Sequence, residues 1–251
     1  MAQADDSTGL PASLATAWGL RERPSKGPKP GLSLDRIVGA AVRIAAAEGV
    51  EAVSMPRVAK ALGVSTMSLY RYVGAKGELL ILMQEAATPP APALDPAADW
   101  RTSMELWARE QRRILYANLW LLRIPLTGPP ATPRQVEWME CGLSALAGTP
   151  LAEEAKLSVL MLVGGYVRSE AAMMSSIDAA IRESGRTPDE HLREYARTLA
   201  VLTTPERHPG VTKVLASGVL QGADEEDDEF EFGLACVLDG VAALIARRAR
   251  S

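Results

Sequence analysis

Apolar side chains recur at intervals of three and four along most of this chain, the period of a helix with one buried face. The strict apolar–polar alternation of a half-buried strand is scarce. The pattern is densest from Leu34 to Met83. A first helix over Ser33–Ala47 presents Leu34, Ile37, Ala41, Ile44 and Ala45 as one stripe. Ser54 precedes a short helix, Met55–Leu62, carrying Val58, Ala61 and Leu62 at helical spacing. Ser65 or Thr66 caps a second short helix that ends near Tyr72. Between the two, Gly63 can take the positive φ that closes a helix. Ala59 is small where the two helices cross, and Val64 and Leu69 supply the core beneath them. Two short helices across a tight glycine turn are a helix-turn-helix, whose second helix enters the major groove of DNA. A fourth helix, Ala75–Ala87, leads out of this head.

The rest of the chain repeats the helical period. Helices or helical turns are predicted over Trp100–Asn118, Leu119–Arg123, Arg134–Ala147, Leu151–Ser176, Thr187–Val201, Val211–Leu220 and Phe230–Ala249. The fold class expected is all-α: an N-terminal three-helix helix-turn-helix head followed by a larger helical domain. Four segments follow from the shifts in composition. Residues 1–31 form a flexible extension and basic arm, in which Leu10–Leu20 either docks as a short helix or stays free. Residues 32–87 form the head. Residues 88–99, rich in Pro and Ala, are the linker, and residues 100–251 are the larger domain. The run Leu157–Val167 is too short and too glycine-interrupted to predict a membrane span.

Composition adds a location to this picture. The net charge of −4 alone argues against nucleic acid, but residues 21–76 carry ten Lys/Arg against four Asp/Glu, and residues 77–251 carry seventeen against twenty-five. A basic head on an acidic body is the distribution of a charge-steered DNA binder. Arg21, Arg23, Lys26 and Lys29 form an arm that can lie in the minor groove or stay solvated. Cys141 and Cys236 lack metal-ligand spacing and read as core thiols of a reducing cytoplasm. Asp5 and Asp6 stand where a signal peptide would be positive, so a cytoplasmic location is expected.

The head resembles the N-terminal domain of the tetracycline-repressor (TetR) family of bacterial regulators. The matching residues are Ala47-Glu48-Gly49, Ser54, Val58-Ala59, Leu62-Gly63-Val64, Ser68-Leu69-Tyr70-Arg71-Tyr72-Val73, Lys76 and Leu79-Leu80. The segment FEFGL, Phe230–Leu234, is similar more loosely to the closing helix of the family's C-terminal domain. The resemblance implies a dimeric, all-helical repressor whose C-terminal domain binds a small molecule and releases DNA. The chain departs from several relatives at Pro56, where they carry a base-reading Arg; Arg57 follows it.

Candidate contacts follow from helix faces. Ser65, Thr66, Met67, Ser68 and Arg71 lie on the N-terminal half and outer face of the recognition helix, toward base edges and flanking phosphates. The resemblance implies a phosphate contact for Tyr70. Tyr72 divides between DNA and the core of the head. Ser54, Arg57 and Lys76 complete the set, Lys76 at a helix start where charge and backbone N–H groups both favour phosphate. Glu48, Glu51 and Glu78 are expected as surface charges.

No HExxH, phosphate loop, GxSxG or paired-carboxylate signature appears, and His191 and His208 stand apart. No enzyme, metal or cofactor is expected. A Trp/Met set at helical spacing is ordinarily core. Here Trp107, Tyr116, Trp120, Met161, Tyr166 and Met173 are predicted together to line a pocket for an apolar or aromatic effector. Glu153–Ser176 and Phe230–Ala249, with Gly164, Gly165, Gly233 and Gly240, are the candidate dimer helices. The function expected is a ligand-responsive repressor binding a palindromic operator in double-stranded DNA as a homodimer. The alternatives are an enzyme with an incidental helix-turn-helix and an effector-independent DNA binder.

Overall fold

The computed structural model describes residues 9–20, 32–125, 128–222 and 227–250. Among them the regular structure is helical: α1 (Ala12–Ala17), α2 (Leu34–Glu48), α3 (Met55–Leu62), α4 (Thr66–Tyr70), α5 (Lys76–Ala87), α6 (Trp100–Ala117), α7 (Pro133–Ala145), α8 (Glu153–Ser184), α9 (Pro188–Leu202), α10 (Pro209–Ser217) and α11 (Asp228–Arg248). Two 3-10 turns, Val50–Ala52 and Leu119–Arg123, join them. The chain packs as two compact units, one within residues 1–168 and 241–251 and one within 169–240.

In the first unit the head is built on α2. Ser33 accepts the N–H of Arg36 at 3.2 Å and caps the helix, a bond of the kind that contributes about 1 kcal/mol. The stripe Ile37, Ala41, Ile44 and Ala45 is buried as its spacing requires. Ser54 and Ser65 cap α3 and α4 in the same way, through the N–H groups of Arg57 and Ser68. Gly63 closes α3 at φ 68°, and the N–H of Val64 reaches back to the carbonyl of Ala59 at 3.1 Å. Val58, Ala59, Leu69 and Val73 are buried at this crossing, whereas Ala61 is exposed: the inner face of α3 runs through Ala59.

Residues 10–20 are docked. α1 packs on α5, burying Ser13 and Ala15, and the Thr16 hydroxyl donates to the Glu78 carboxylate at 3.2 Å. The Trp18 indole N–H donates to the carbonyl of Ala131 at 2.8 Å. Glu78 is therefore not the surface charge expected from sequence. It is buried and also accepts the N–H of Gly74 at 2.7 Å, where it serves the start of α5. The basic residues Arg21, Arg23, Lys26 and Lys29 lie outside the described residues.

Beyond the head, α6 packs against α7. Trp107 donates its indole N–H to the carbonyl of Trp138 at 2.9 Å, with the two rings 6.4 Å apart and tilted by 55°. Segment 88–99 is strapped to α7: Pro89 accepts the Trp138 indole N–H, Glu137 accepts the N–H of Ala91, and the Cys141 thiol reaches the carbonyl of Pro92. Burial pushes the Cys141 thiol up, away from reactivity.

Helix α8 continues through Gly164-Gly165 to 32 residues, so the sequence reading of its length was too short. By length and composition alone it is long and apolar enough to cross a membrane. It also carries Lys156 and Glu170 in buried positions and Arg168 bonded to backbone carbonyls, charges a span would place in hydrocarbon.

In the second unit, Thr187 and Glu190 form a reciprocal cap on α9, and the N–H and hydroxyl of Thr187 hold the Glu190 carboxyl below its ordinary range. Within α11, Phe230, Leu234 and Leu238 are buried at every fourth residue.

Candidate functional site

The head exposes polar and cationic side chains around α4 and the start of α5. Leu69 is fully buried and fixes the rotation of α4, which leaves Met67 73% exposed and Tyr70 and Arg71 at the surface. Thr66 and Ser68 are half-buried, and the Ser65 and Ser68 hydroxyls lie 2.9 Å apart at the start of the helix. Lys76 is exposed on the first turn of α5, whose N-cap, Ala75, offers no side-chain bond. A helix start leaves backbone N–H groups without intrahelical partners, and the Lys76 charge stands on that same turn. Ser54 uses its oxygen as an acceptor for Arg57 and keeps its own O–H to donate.

Two candidates have other partners. Arg57 is paired with Glu48 across the surface, an exposed ion pair of the kind that contributes about 0–1 kcal/mol and that a phosphate can replace. Tyr72 donates its hydroxyl to the carbonyl of Leu32 at 3.1 Å, tying α4 to the chain that enters α2.

The six pocket candidates differ in exposure. Trp107 and Trp120 are buried, Tyr116 and Tyr166 are half-buried, and Met161 and Met173 are mostly exposed, Met161 by 78%. Tyr116 stands nine positions after Trp107 on α6, half a turn out of phase, and its ring lies 4.6 Å beneath the Arg112 guanidinium. The residues that do converge include Gln111, which the sequence reading missed, and Gly164, which it assigned to a dimer helix. A Cβ built on Gly164 would lie 3.6 Å from the Trp107 ring and 3.7 Å from the Gln111 amide oxygen. One turn further along α8, Arg168 donates to the carbonyls of Leu121, Leu122 and Ile124 at 3.2, 3.0 and 3.2 Å. It pins the 3-10 turn that carries Trp120, and burial pulls its pKa down. The same turn touches α2 and the turn Val50–Ala52 of the head.

Exposed large apolar residues stand on several helices, among them Tyr195, Val201 and Leu202 on α9. On α8 they are Leu157, Met161, Leu162, Met173 and Ile177, with Gly165 between them. On α11, Phe232 is 74% exposed and shares its face with Cys236, Gly240 and Ala243. Among the described residues no group of three His, Cys, Asp or Glu side chains has the proximity to hold a metal ion.

A small helix-turn-helix head with a polar-cationic face, carried on a larger all-helical body, defines a DNA-binding regulator. Residues 37–83 match the family model of bacterial regulatory proteins, tetR family, and residues 91–245 match that of the tetracyclin repressor-like C-terminal domain. The chain belongs to the TetR family. It is 38% identical over 238 residues to the HTH-type transcriptional repressor DrrR1 of Streptomyces coeruleorubidus, covering 94% of this chain and 87% of that one. It is 27% identical over 249 residues to the HTH-type transcriptional repressor Rv1353c of Mycobacterium tuberculosis, covering 95% and 90%. Apo ActR of Streptomyces coelicolor superposes with a TM-score of 0.72 at 27% identity, covering 89% of this chain and 99% of that one. ActR in complex with actinorhodin gives 0.70 at 29% identity, covering 86% and 98%.

Proposed function

We propose that this chain is a cytoplasmic, homodimeric transcriptional repressor that binds a palindromic operator in double-stranded DNA and is released from it by an apolar or aromatic small molecule. The observation that carries the DNA half is the exposed Met67, Tyr70, Arg71 and Lys76 face standing over a head core locked by Leu69. In this reading Met67 offers an apolar contact to a thymine methyl, Arg71 reads a base edge or grips the backbone, and Ser54, Tyr70 and Lys76 hold phosphates. Ser65, Thr66 and Ser68 approach the same groove, and Arg57 exchanges Glu48 for a phosphate. Tyr72 acts through its bond to Leu32, by holding the recognition helix in place.

Dimerisation is supported by the exposed apolar faces of α8 and α11, which no described residue covers and which a solitary chain would present to water. Met161 and Met173 belong to that reading rather than to a pocket. The effector half draws on the solved complex of ActR with actinorhodin and on the converging Trp107, Gln111, Gly164 and Trp120. Among the described residues, α5 and the 3-10 turn Leu119–Arg123 join this region to the head. A ligand releases DNA only if it binds the DNA-incompetent arrangement more tightly, and operator then weakens ligand by the same factor.

Titration with aromatic compounds, followed by tryptophan fluorescence and then by DNA release, tests this reading. A compound that changes the fluorescence and frees bound DNA supports it. Compounds that bind and never free DNA remove the effector half.

A further inference from the structure

Among the described residues four side-chain atoms are buried without a hydrogen-bond partner: Thr132 Oγ1, His191 Nδ1 and, on neighbouring elements of the body, the donors Gln111 Nε2 and Trp120 Nε1. Trp120 is only 6% exposed. The other buried indoles nearby are satisfied, Trp107 by the carbonyl of Trp138 and Trp138 by that of Pro89. A buried donor left without an acceptor is costly, and a chain carries one only where something else completes the bond. Both orphans are placed along the same stretch of α8. Gln111 lies over Gly164 of α8, and the turn bearing Trp120 is held by Arg168, one turn further along the same ridge.

We propose that Gln111 and Trp120 are the effector's hydrogen-bond donors, and that the effector carries a carbonyl or comparable acceptor oxygen on an aromatic or otherwise apolar frame. This rests on the ligand-responsive reading above and adds the chemistry of its ligand. Trp107 and the glycine surface at Gly164 supply apolar contact, and the two N–H groups supply direction. The arrangement also explains how such a ligand acts as a switch. Both donors are buried in this arrangement, so bonding to them is a gain made only in an arrangement that opens to admit the ligand. A difference of that kind is what shifts a population between two states.

The test uses the full-length protein with two probes that differ by one ketone, 9-fluorenone and fluorene, in equilibrium dialysis. Wild type is expected to hold fluorenone at least about tenfold more tightly than fluorene, because a site with buried donors rejects the analogue that leaves them unpaired. Gln111→Leu and Trp120→Phe should each cut that preference to about twofold or less. Gln111→Leu removes the orphan at similar volume, so the unliganded variant should melt at the wild-type temperature or above it. Fluorenone bound no more tightly than fluorene, including no binding by either, overturns the assignment. A Gln111→Leu variant that melts lower also overturns it, since its amide would then be satisfied within the unliganded protein. A fluorenone preference that the substitutions abolish, with operator DNA never released, keeps the donors and removes the effector reading instead.

Discussion

Both carboxylate oxygens of Glu85 accept the backbone N–H of Arg134, at 3.2 and 3.1 Å, so the last turn of α5 caps the first turn of α7. The connector between head and body is thus bonded at both ends, to α1 through Glu78 and to α7 through Glu85. Glu85→Ala should lower stability by about 1 kcal/mol, the usual cost of a lost N-terminal cap, and should weaken the coupling between ligand and DNA. Urea unfolding checks the first part; an unchanged midpoint would show the cap to be idle.

Three glycines should respond differently to alanine. Gly63 sits at φ 68°, so its substitution strains the backbone by about 1–2 kcal/mol and loosens the recognition helix. At Gly142 a Cβ would lie 3.0 Å from Leu160 and 3.1 Å from the Trp107 indole nitrogen, and the overpacking should cost about 1–3 kcal/mol. Gly164 has room, and its alanine should be neutral or up to about 1 kcal/mol more stable. Thermal melts of the three variants give the order directly; a Gly164→Ala protein less stable than Gly142→Ala would contradict the packing described.

The dimer reading separates two residues six positions apart on α11. Phe232 is exposed, and Phe232→Arg should yield a folded monomer by light scattering and circular dichroism. Leu238 is fully buried in its own chain, so Leu238→Arg should unfold the protein. Cys236 shares the Phe232 face, and its alkylation should be slow in wild type and fast in Phe232→Arg. A wild-type protein that is monomeric at micromolar concentration would refute the reading outright.

Affinity and sequence reading should divide within the head. Lys76→Ala is expected to weaken binding equally on operator and random DNA, and to lower the salt slope by about one unit. Met67→Ala should lose affinity only where the operator presents a thymine methyl, by about 1 kcal/mol. Arg71→Ala assigns its own residue: a loss of about 1–3 kcal/mol confined to one base position makes it a base reader, and a uniform loss makes it a backbone contact.

The head was legible in sequence because its signals are local. Serine caps, Gly63 and the apolar stripe of α2 act within a few residues, and each lies where the spacing puts it. The body resisted for a different reason: a side chain's neighbours depend on the phase of one helix against another. Trp107 and Tyr116 look alike in sequence and face opposite sides of α6. Gln111 carries no individual signal and Gly164 was read as a glycine of a dimer helix; only the packing of α6 against α8 brings them together. Glu78 was misjudged because burial of a carboxylate depends on Thr16, sixty-two positions away.

The central claim is that two copies of this chain read a two-fold-symmetric DNA site, and a mobility-shift titration on DNA flanking its own gene tests it most directly. Two heads reach successive half-sites about 34–36 Å apart, or a multiple of that, on one face of the duplex. The account predicts one retarded complex with two chains per palindrome, about a thousandfold or more tighter than random DNA, and a sharp loss when one half-site is scrambled. Equal affinity for the palindrome, the scrambled site and random DNA would contradict it.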